Sequence, residues 1–233
     1  MMTISPIAHF HSPLTSKFGI PRQSGIADQL HGTIVFTPDY RTADALRGLE
    51  GFDYMWIIWG FSENVDAQKH PTVRPPRLGG NTRLGVFATR SPFRPNNLGL
   101  SSVSIVNINL NTPEGPVIEV VGADLMDGTP IYDLKPYLPE FDCHANAKAG
   151  FVADNDWKPL DVVFLPSADI SYFTPTDIKV ITQLLSQDPR PHYHSSPDRI
   201  YGMTYKGHDI RFRVEEGKVV IERVEGRDSP IRP

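Results

Sequence analysis

Residues 69–111 carry Lys69, Arg74, Arg77, Arg83, Arg90 and Arg94 and no acidic side chain; the next carboxylate is Glu114. The protein as a whole has a formal charge of −4, so this +6 segment leaves −10 for the remainder. A guanidinium offers a planar fork of donors that matches phosphate or carboxylate oxygens. Prolines 71, 75, 76, 92 and 95 and glycines 79, 80 and 85 shape the same stretch. A stiff loop loses little entropy on binding, so the pattern is that of an anion-recognition surface. The competing reading is a solvated basic loop paired to acids elsewhere, which leaves one-signed charge unused.

Other residue pairs are weaker. His9-x-His11 and His192-x-His194 each set two imidazoles on one side of an extended segment, a spacing metals use. Neither has a cysteine or third histidine close in sequence, and no metal is expected. Cys143 beside His144 has the atoms of a nucleophile and base, but neighbours in sequence point apart. The chain contains no G-x-G, no G-K-[ST], no G-x-S-x-G and no H-E-x-x-H. That excludes the usual dinucleotide turn, the P-loop, the hydrolase elbow and the zinc-protease helix.

Strands must carry the basic loops. Residues 3–10, 32–36, 53–61, 84–88, 102–110 and 117–123 are rich in Val, Ile, Phe and Trp and read as strands. Thr42 reads as the cap of a short helix ended by Gly48. Six strands with loops suggest a closed barrel rather than βαβ units. Residues 139–157 read as a linker or wrapping loop. Thr174-Pro175-Thr176-Asp177 then starts a helix with Ile178, Ile181, Leu184 and Leu185 on one face. Strands at 199–205, 209–214 and 219–224 follow, the last two joined across Glu215-Glu216-Gly217. The expectation is a mainly β protein: an N-terminal, non-Rossmann β-barrel domain over 1–146 and a small C-terminal α+β domain over 147–233, a helix plus a three-stranded meander.

Composition fits. The 233 residues are 39% hydrophobic, enough for a core that needs no disulfide or metal. Prolines number 22, against about 12 at the usual ~5%, so they act locally. One cysteine excludes an intrachain disulfide and fits a reducing compartment. The first residues show no signal peptide, and no apolar run approaches the ~20 residues of a membrane span. A soluble, cytoplasmic protein is expected.

The basic stretch also carries a family likeness. Val73-Arg-Pro-Pro-Arg-Leu-Gly-Gly80 and Gly85-Val-Phe-Ala-Thr-Arg-Ser-Pro-Phe-Arg-Pro-Asn-Asn-Leu-Gly-Leu-Ser101 resemble the signature of the TsaA-like family, whose bacterial members are tRNA N6-methyltransferases. The resemblance continues at Phe18-Gly-Ile-Pro-Arg-Gln23, Leu46-Arg-Gly-Leu-Glu-Gly-Phe52, Gly122-Ala-Asp-Leu-Met-Asp-Gly-Thr-Pro130, Asp133-Leu-Lys-Pro-Tyr137, Asp188-Pro-Arg-Pro191 and Tyr201-Gly202. It implies a β-barrel methyltransferase that uses S-adenosyl-L-methionine and works as a homodimer. The implied substrate is the anticodon stem-loop of tRNA, methylated at N6 of threonylcarbamoyladenosine 37, with threonine tRNAs as the expected class. By the same resemblance the cofactor falls to Pro21, Arg22, Gln23, Ser62, Glu63, Arg90, Leu100 and Asp127, Gly128, Thr129, Pro130. Arg74, Arg77, Arg83 and Arg94 are assigned to RNA phosphates, with Lys135 beside them, and Asp127 is the candidate base. Three other readings stay open: a barrel that binds RNA without catalysis, an S-adenosylmethionine-dependent small-molecule enzyme whose arginines hold a carboxylate, and a protein–protein scaffold that uses the proline-rich loops.

Overall fold

The computed structural model describes residues 3–64, 70–154, 158–190 and 199–226. Lys69 and the His192/His194 pair lie outside the described residues. The chain forms two compact units, and neither is one stretch of sequence. The first comprises Met1–Phe10, Thr33–Val120 and Gly128–Trp157; the second comprises His11–Gly32, Val121–Asp127 and Lys158–Pro233.

The first unit is built on a barrel. Its early strands are β1 (Ala8–His11), β2 (His31–Phe36) and β3 (Tyr54–Gly60). A small hairpin, β4 (Thr72–Val73) with β5 (Leu84–Gly85), is inserted before β6 (Leu98–Thr112), β7 (Gly115–Val121) and β8 (Thr129–Pro136). Six of these close in the order β1-β2-β7-β6-β3-β8. Alternation dictates the interior: Phe10, Ile34, Met55, Ile57, Ile118 and Ile131 point in and are fully buried. Each such side chain contributes at most about 1.5–3 kcal/mol by leaving water.

The six barrel strands are not the six read from the sequence. Residues 84–88 do not join the barrel: Leu84–Gly85 pairs only with Thr72–Val73, and Val86–Ala88 then coils into a 3-10 turn. Its place is taken by β8, hidden because prolines 130 and 136 make it read as a turn. The expected helix after Thr42 is a 3-10 turn over Ala43–Leu46, and the Thr42 side chain makes no capping bond. The stretch expected to be loop contains a helical turn, α1 (Pro139–Asp142), and a 3-10 turn over Gly150–Val152.

In the second unit α2 (Pro175–Ser186) begins with the expected capping box, Thr174 and Asp177 each bonding the other's backbone N–H. Strand β9 (Asp161–Phe164) pairs parallel to β12 (Lys218–Glu225), which follows β10 (Tyr201–Tyr205) and β11 (His208–Glu215). The sheet order is β10-β11-β12-β9, so four strands replace the expected three-stranded meander. Lys206-Gly207 and Glu216-Gly217 both have left-handed backbone, at φ 48, 79, 48 and 75, as tight hairpin turns require. Val180, Ile181, Leu184 and Leu185 from α2 pack into a core with Met203, Ile210, Phe212 and Ile221. Leu14, Ala27 and Leu30 complete it from the N-terminal segment.

Candidate active site and nucleic-acid surface

One end of the barrel is made by the close of β3 and the start of β6. Trp59 lies flat across β6 where Gly99 has no side chain, and its indole Nε1 donates to the buried Ser101 hydroxyl at 2.9 Å. Phe61 packs edge-on against Trp59, with ring centres 4.3 Å apart. Its backbone N–H donates to the Asn97 carbonyl at 2.8 Å, while Asn97 Nδ2 donates to the Asn64 carbonyl at 3.2 Å. Asn97 is itself left-handed, at φ 49. These bonds fix the turn Ser62–Asn64, and with it the exposed Ser62 and Glu63.

The basic segment folds back beside its own hairpin. Thr72 pairs with Gly85 and Val73 with Leu84, so Arg74 and Arg83 are the next residues beyond that ladder. Arg83 Nη1 donates to the Thr72 hydroxyl at 3.0 Å. At the other end the Val86 N–H donates to the Pro71 carbonyl at 2.9 Å, and Val86 is buried. Arg94 has a different task from its neighbours. Its Nη1 donates to the Thr89 carbonyl at 2.7 Å and the Val86 carbonyl at 3.4 Å, so it staples the loop. Arg74, Arg77, Arg83 and Arg90 remain exposed. Among the described residues Arg74 and Arg77 meet no carboxylate.

In the second unit Asp127 accepts the Ser12 N–H on Oδ1 at 3.0 Å, and the same oxygen lies 3.3 Å from His11 Nδ1. Its Oδ2 has no partner among the described residues. Pro21 is buried, and Arg22 Nη2 donates to the Asp188 carbonyl at 2.9 Å. Gln23 Nε2 donates to the Arg22 carbonyl. Asp188 also takes Arg190 in a two-pronged pair at 2.7 and 2.8 Å, which holds that guanidinium charged above its ordinary range. Two segments 166 residues apart, Pro21-Arg22-Gln23 and Asp188-Pro189-Arg190, are thus joined by direct bonds.

The chain matches the profile of the tRNA-methyltransferase O N-terminal domain over residues 9–143 and that of the TrmO C-terminal domain over 158–227. This chain is a member of the TrmO family. The tRNA (adenine(37)-N6)-methyltransferase of Escherichia coli K12 is 35% identical over 228 residues, covering 95% of this chain and 97% of that one. The protein of the same name from Eikenella corrodens is 43% identical over 173 residues, or 74% and 97% of the two chains. Among solved structures, TrmO from Pseudomonas aeruginosa superposes with a TM-score of 0.77 at 29% identity, covering 97% and 99%.

In this TrmO-family chain the remaining candidates are dispersed. Gly128, left-handed at φ 76, donates to the Phe10 carbonyl, and Thr129 and Pro130 pair with Phe10 and His9 at the start of β8, with Thr129 buried. Leu100 stands on the outer face of β6, opposite Ile58 and 57% exposed. Lys135 lies six residues along β8 from Thr129, about 20 Å at ~3.3 Å per residue, and pairs with Asp133 at 3.5 Å. There it lines a cavity of about 480 Å³ with Ile7, Phe36, Leu49 and Met55, at the barrel end away from Ser62 and Glu63. Sequence reasoning missed Trp59, Asn97, Gly99 and Ser101. The usable signal was a glycine inside a strand pattern, which marks close approach by a neighbour. Among the described residues no group of three or more His, Cys, Asp or Glu is placed to hold a metal, and no helix is long and apolar enough to cross a membrane.

Proposed function

We propose that this chain transfers a methyl group from S-adenosyl-L-methionine to N6 of adenosine 37 in tRNA, the base carrying a threonylcarbamoyl group. The observation that carries this reading is the match, along nearly the whole of both chains, to a protein named a tRNA (adenine(37)-N6)-methyltransferase. The side chains present suit the cofactor. Exposed Glu63 and Ser62 have the acceptors for an ammonium and ribose hydroxyls, and exposed Arg90 has the fork for a carboxylate. When bound, S-adenosylmethionine supplies an electrophilic methyl. The chain's own residues hold the reacting atoms in line, which is the larger part of catalysis for a displacement.

Adenine N6 is a poor nucleophile because its lone pair is delocalised, and the carbamoyl group makes its N–H more acidic. Asp127 takes the proton on Oδ2, while the Ser12 N–H and His11 fix Oδ1. The test uses the purified chain, labelled S-adenosylmethionine and tRNA, with nucleosides read by mass spectrometry. The expected product is methylated threonylcarbamoyladenosine; tRNA that stays unlabelled in that nucleoside overturns the reading. In single turnover with saturating cofactor, Asp127→Asn should slow transfer by roughly 10²–10⁴-fold, and a normal rate removes Asp127 from this role.

Arg74 and Arg77 contact backbone phosphates of the anticodon stem-loop. A double alanine variant should bind tRNA more weakly and with a salt slope lower by about 0.7–0.9 per lost contact. An unchanged slope would count against both. The active form is a homodimer, supported by the apolar outer face on which Tyr54, Leu100, Val106 and Leu110 are each 45–57% exposed. Sedimentation at micromolar concentration reads this directly, and a monomer there refutes it.

A further inference from the structure

Phe87 is the most exposed large apolar side chain among the described residues, at 79%. It does not sit on a floppy tip. The preceding residue, Val86, is buried and bonded through its N–H to Pro71, while its carbonyl accepts from the Thr89 hydroxyl at 2.9 Å. Arg94 ties the Thr89 carbonyl, and more weakly that of Val86, into the same turn. Phe93, 42% exposed, is carried on that loop, its N–H bonded to the Ser91 hydroxyl at 3.2 Å. A phenyl ring in water on a backbone fixed by its neighbours has a face to offer and no backbone entropy to lose when something covers it.

The surroundings define the occupant. Across the hairpin the next residues are Arg74 and Arg83, two like charges set beyond one end of a short ladder, with Phe87 past the other. Like charges in facing positions are unfavourable unless an anion lies between or upon them. No carboxylate occurs in sequence from residue 69 to residue 113 to serve as that anion. An exposed aromatic face on the same short hairpin as Arg74 and Arg83, at its opposite end, supplies the two kinds of group that take unpaired nucleotides, base on ring and phosphate on arginine.

We propose that Phe87, with Phe93 as a second ring, is a stacking platform for unpaired bases of the tRNA anticodon loop. This rests on the tRNA reading above and adds what orients the loop there. The platform is blind to base identity, because every base has a face to stack. It fixes the register of the loop while the arginines supply the electrostatic attraction.

The test is fluorescence anisotropy of a synthetic anticodon stem-loop RNA with the full chain, carrying Phe87→Ala, Phe87→Leu or Phe87→Trp. The alanine variant should bind roughly 5- to 100-fold more weakly, leucine should do no better, and tryptophan should restore affinity. The salt slope should not move in any of them, since stacking releases no counterions. Affinity for S-adenosylmethionine by calorimetry and the sedimentation coefficient should match the unsubstituted protein. Wild-type-like binding by the alanine or leucine variant overturns the platform, the latter because a plain apolar contact then suffices. Loss of cofactor affinity, or dissociation of a dimer, in Phe87→Ala also overturns it by assigning the ring to another surface. Failure of the unsubstituted protein to bind the stem-loop refutes the tRNA reading itself, a result separate from any difference between the variants.

Discussion

Gly99→Val should destabilise the barrel by about 3–4 kcal/mol and lower methyl transfer at least ~100-fold at temperatures where the variant is still folded. A Cβ at position 99 would fall inside the indole of Trp59; even Cδ2 of that ring would be 2.7 Å away. The indole must then leave, and its bond to the buried Ser101 hydroxyl goes with it. Overpacking of this kind costs about 1–3 kcal/mol, and stranding a buried polar group adds about 1–3 more. Against a total stability of roughly 5–15 kcal/mol this is severe. Activity falls further than stability because Trp59 supports Phe61, and Phe61 leads directly into Ser62 and Glu63. A displacement of ~1 Å at such a support costs on the order of 100-fold in rate. Gly99→Ala should lie between the two. Urea denaturation and single-turnover methylation check both, and a valine variant with normal midpoint and rate would refute the role given to Trp59.

The second large effect lies in the other unit. Asp177→Ala should cost about 3 kcal/mol at pH 7, since its carboxylate is buried and holds three partners at once. It closes the α2 cap with Thr174, accepts the Tyr205 hydroxyl at 2.8 Å and meets the Lys206 ammonium at 2.7 Å. Burial alone would raise its pKa, but the bonds from Lys206, Thr174 and Tyr205 outweigh burial and bring it to about 2. Burial, followed by that same hydrogen bond, pushes the Tyr205 phenol up. The sign follows from proton linkage. A folded pKa below the unfolded value of about 3.9 gives stability that is complete above pH ~4 and lost as pH falls toward 2. That part amounts to about 2 kcal/mol. The gap between the unsubstituted chain and Asp177→Ala should therefore narrow when denaturation is repeated at about pH 2–3. A gap independent of pH would mean that packing, not the charge, sets the cost.

Local signals in the sequence held where several of them act within one turn and failed at Thr42, where a lone cap residue leads only into a 3-10 turn. Thr174-Pro175-Thr176-Asp177 specifies a helix start because cap, proline and carboxylate act within one turn. Glu216-Gly217 specifies a hairpin because left-handed backbone is tolerated there. Where partners are distant, the same reading failed. Residues 84–88 have strand composition, yet only two of them find a ladder, and β8 joins the barrel despite prolines 130 and 136. Strand composition reports suitability for a half-buried surface, while pairing decides which surface exists.

The same division holds for the site. Residue types alone determined that residues 69–111 carry charge of one sign among many prolines, and that the usual phosphate-binding turns are absent. Motif order gave the family. Only the tertiary structure decided that Arg94 is a staple while Arg74 and Arg77 stay open, that His11 stands beside Asp127, and that Gly99 exists for Trp59. It also decided that Leu14, Ala27 and Leu30 belong to a core formed largely beyond residue 160. The reason is range. Charge, cap and turn preferences are properties of a few adjacent residues, whereas a hydrogen bond or a close approach across 40 to 170 residues depends on where the whole chain has gone.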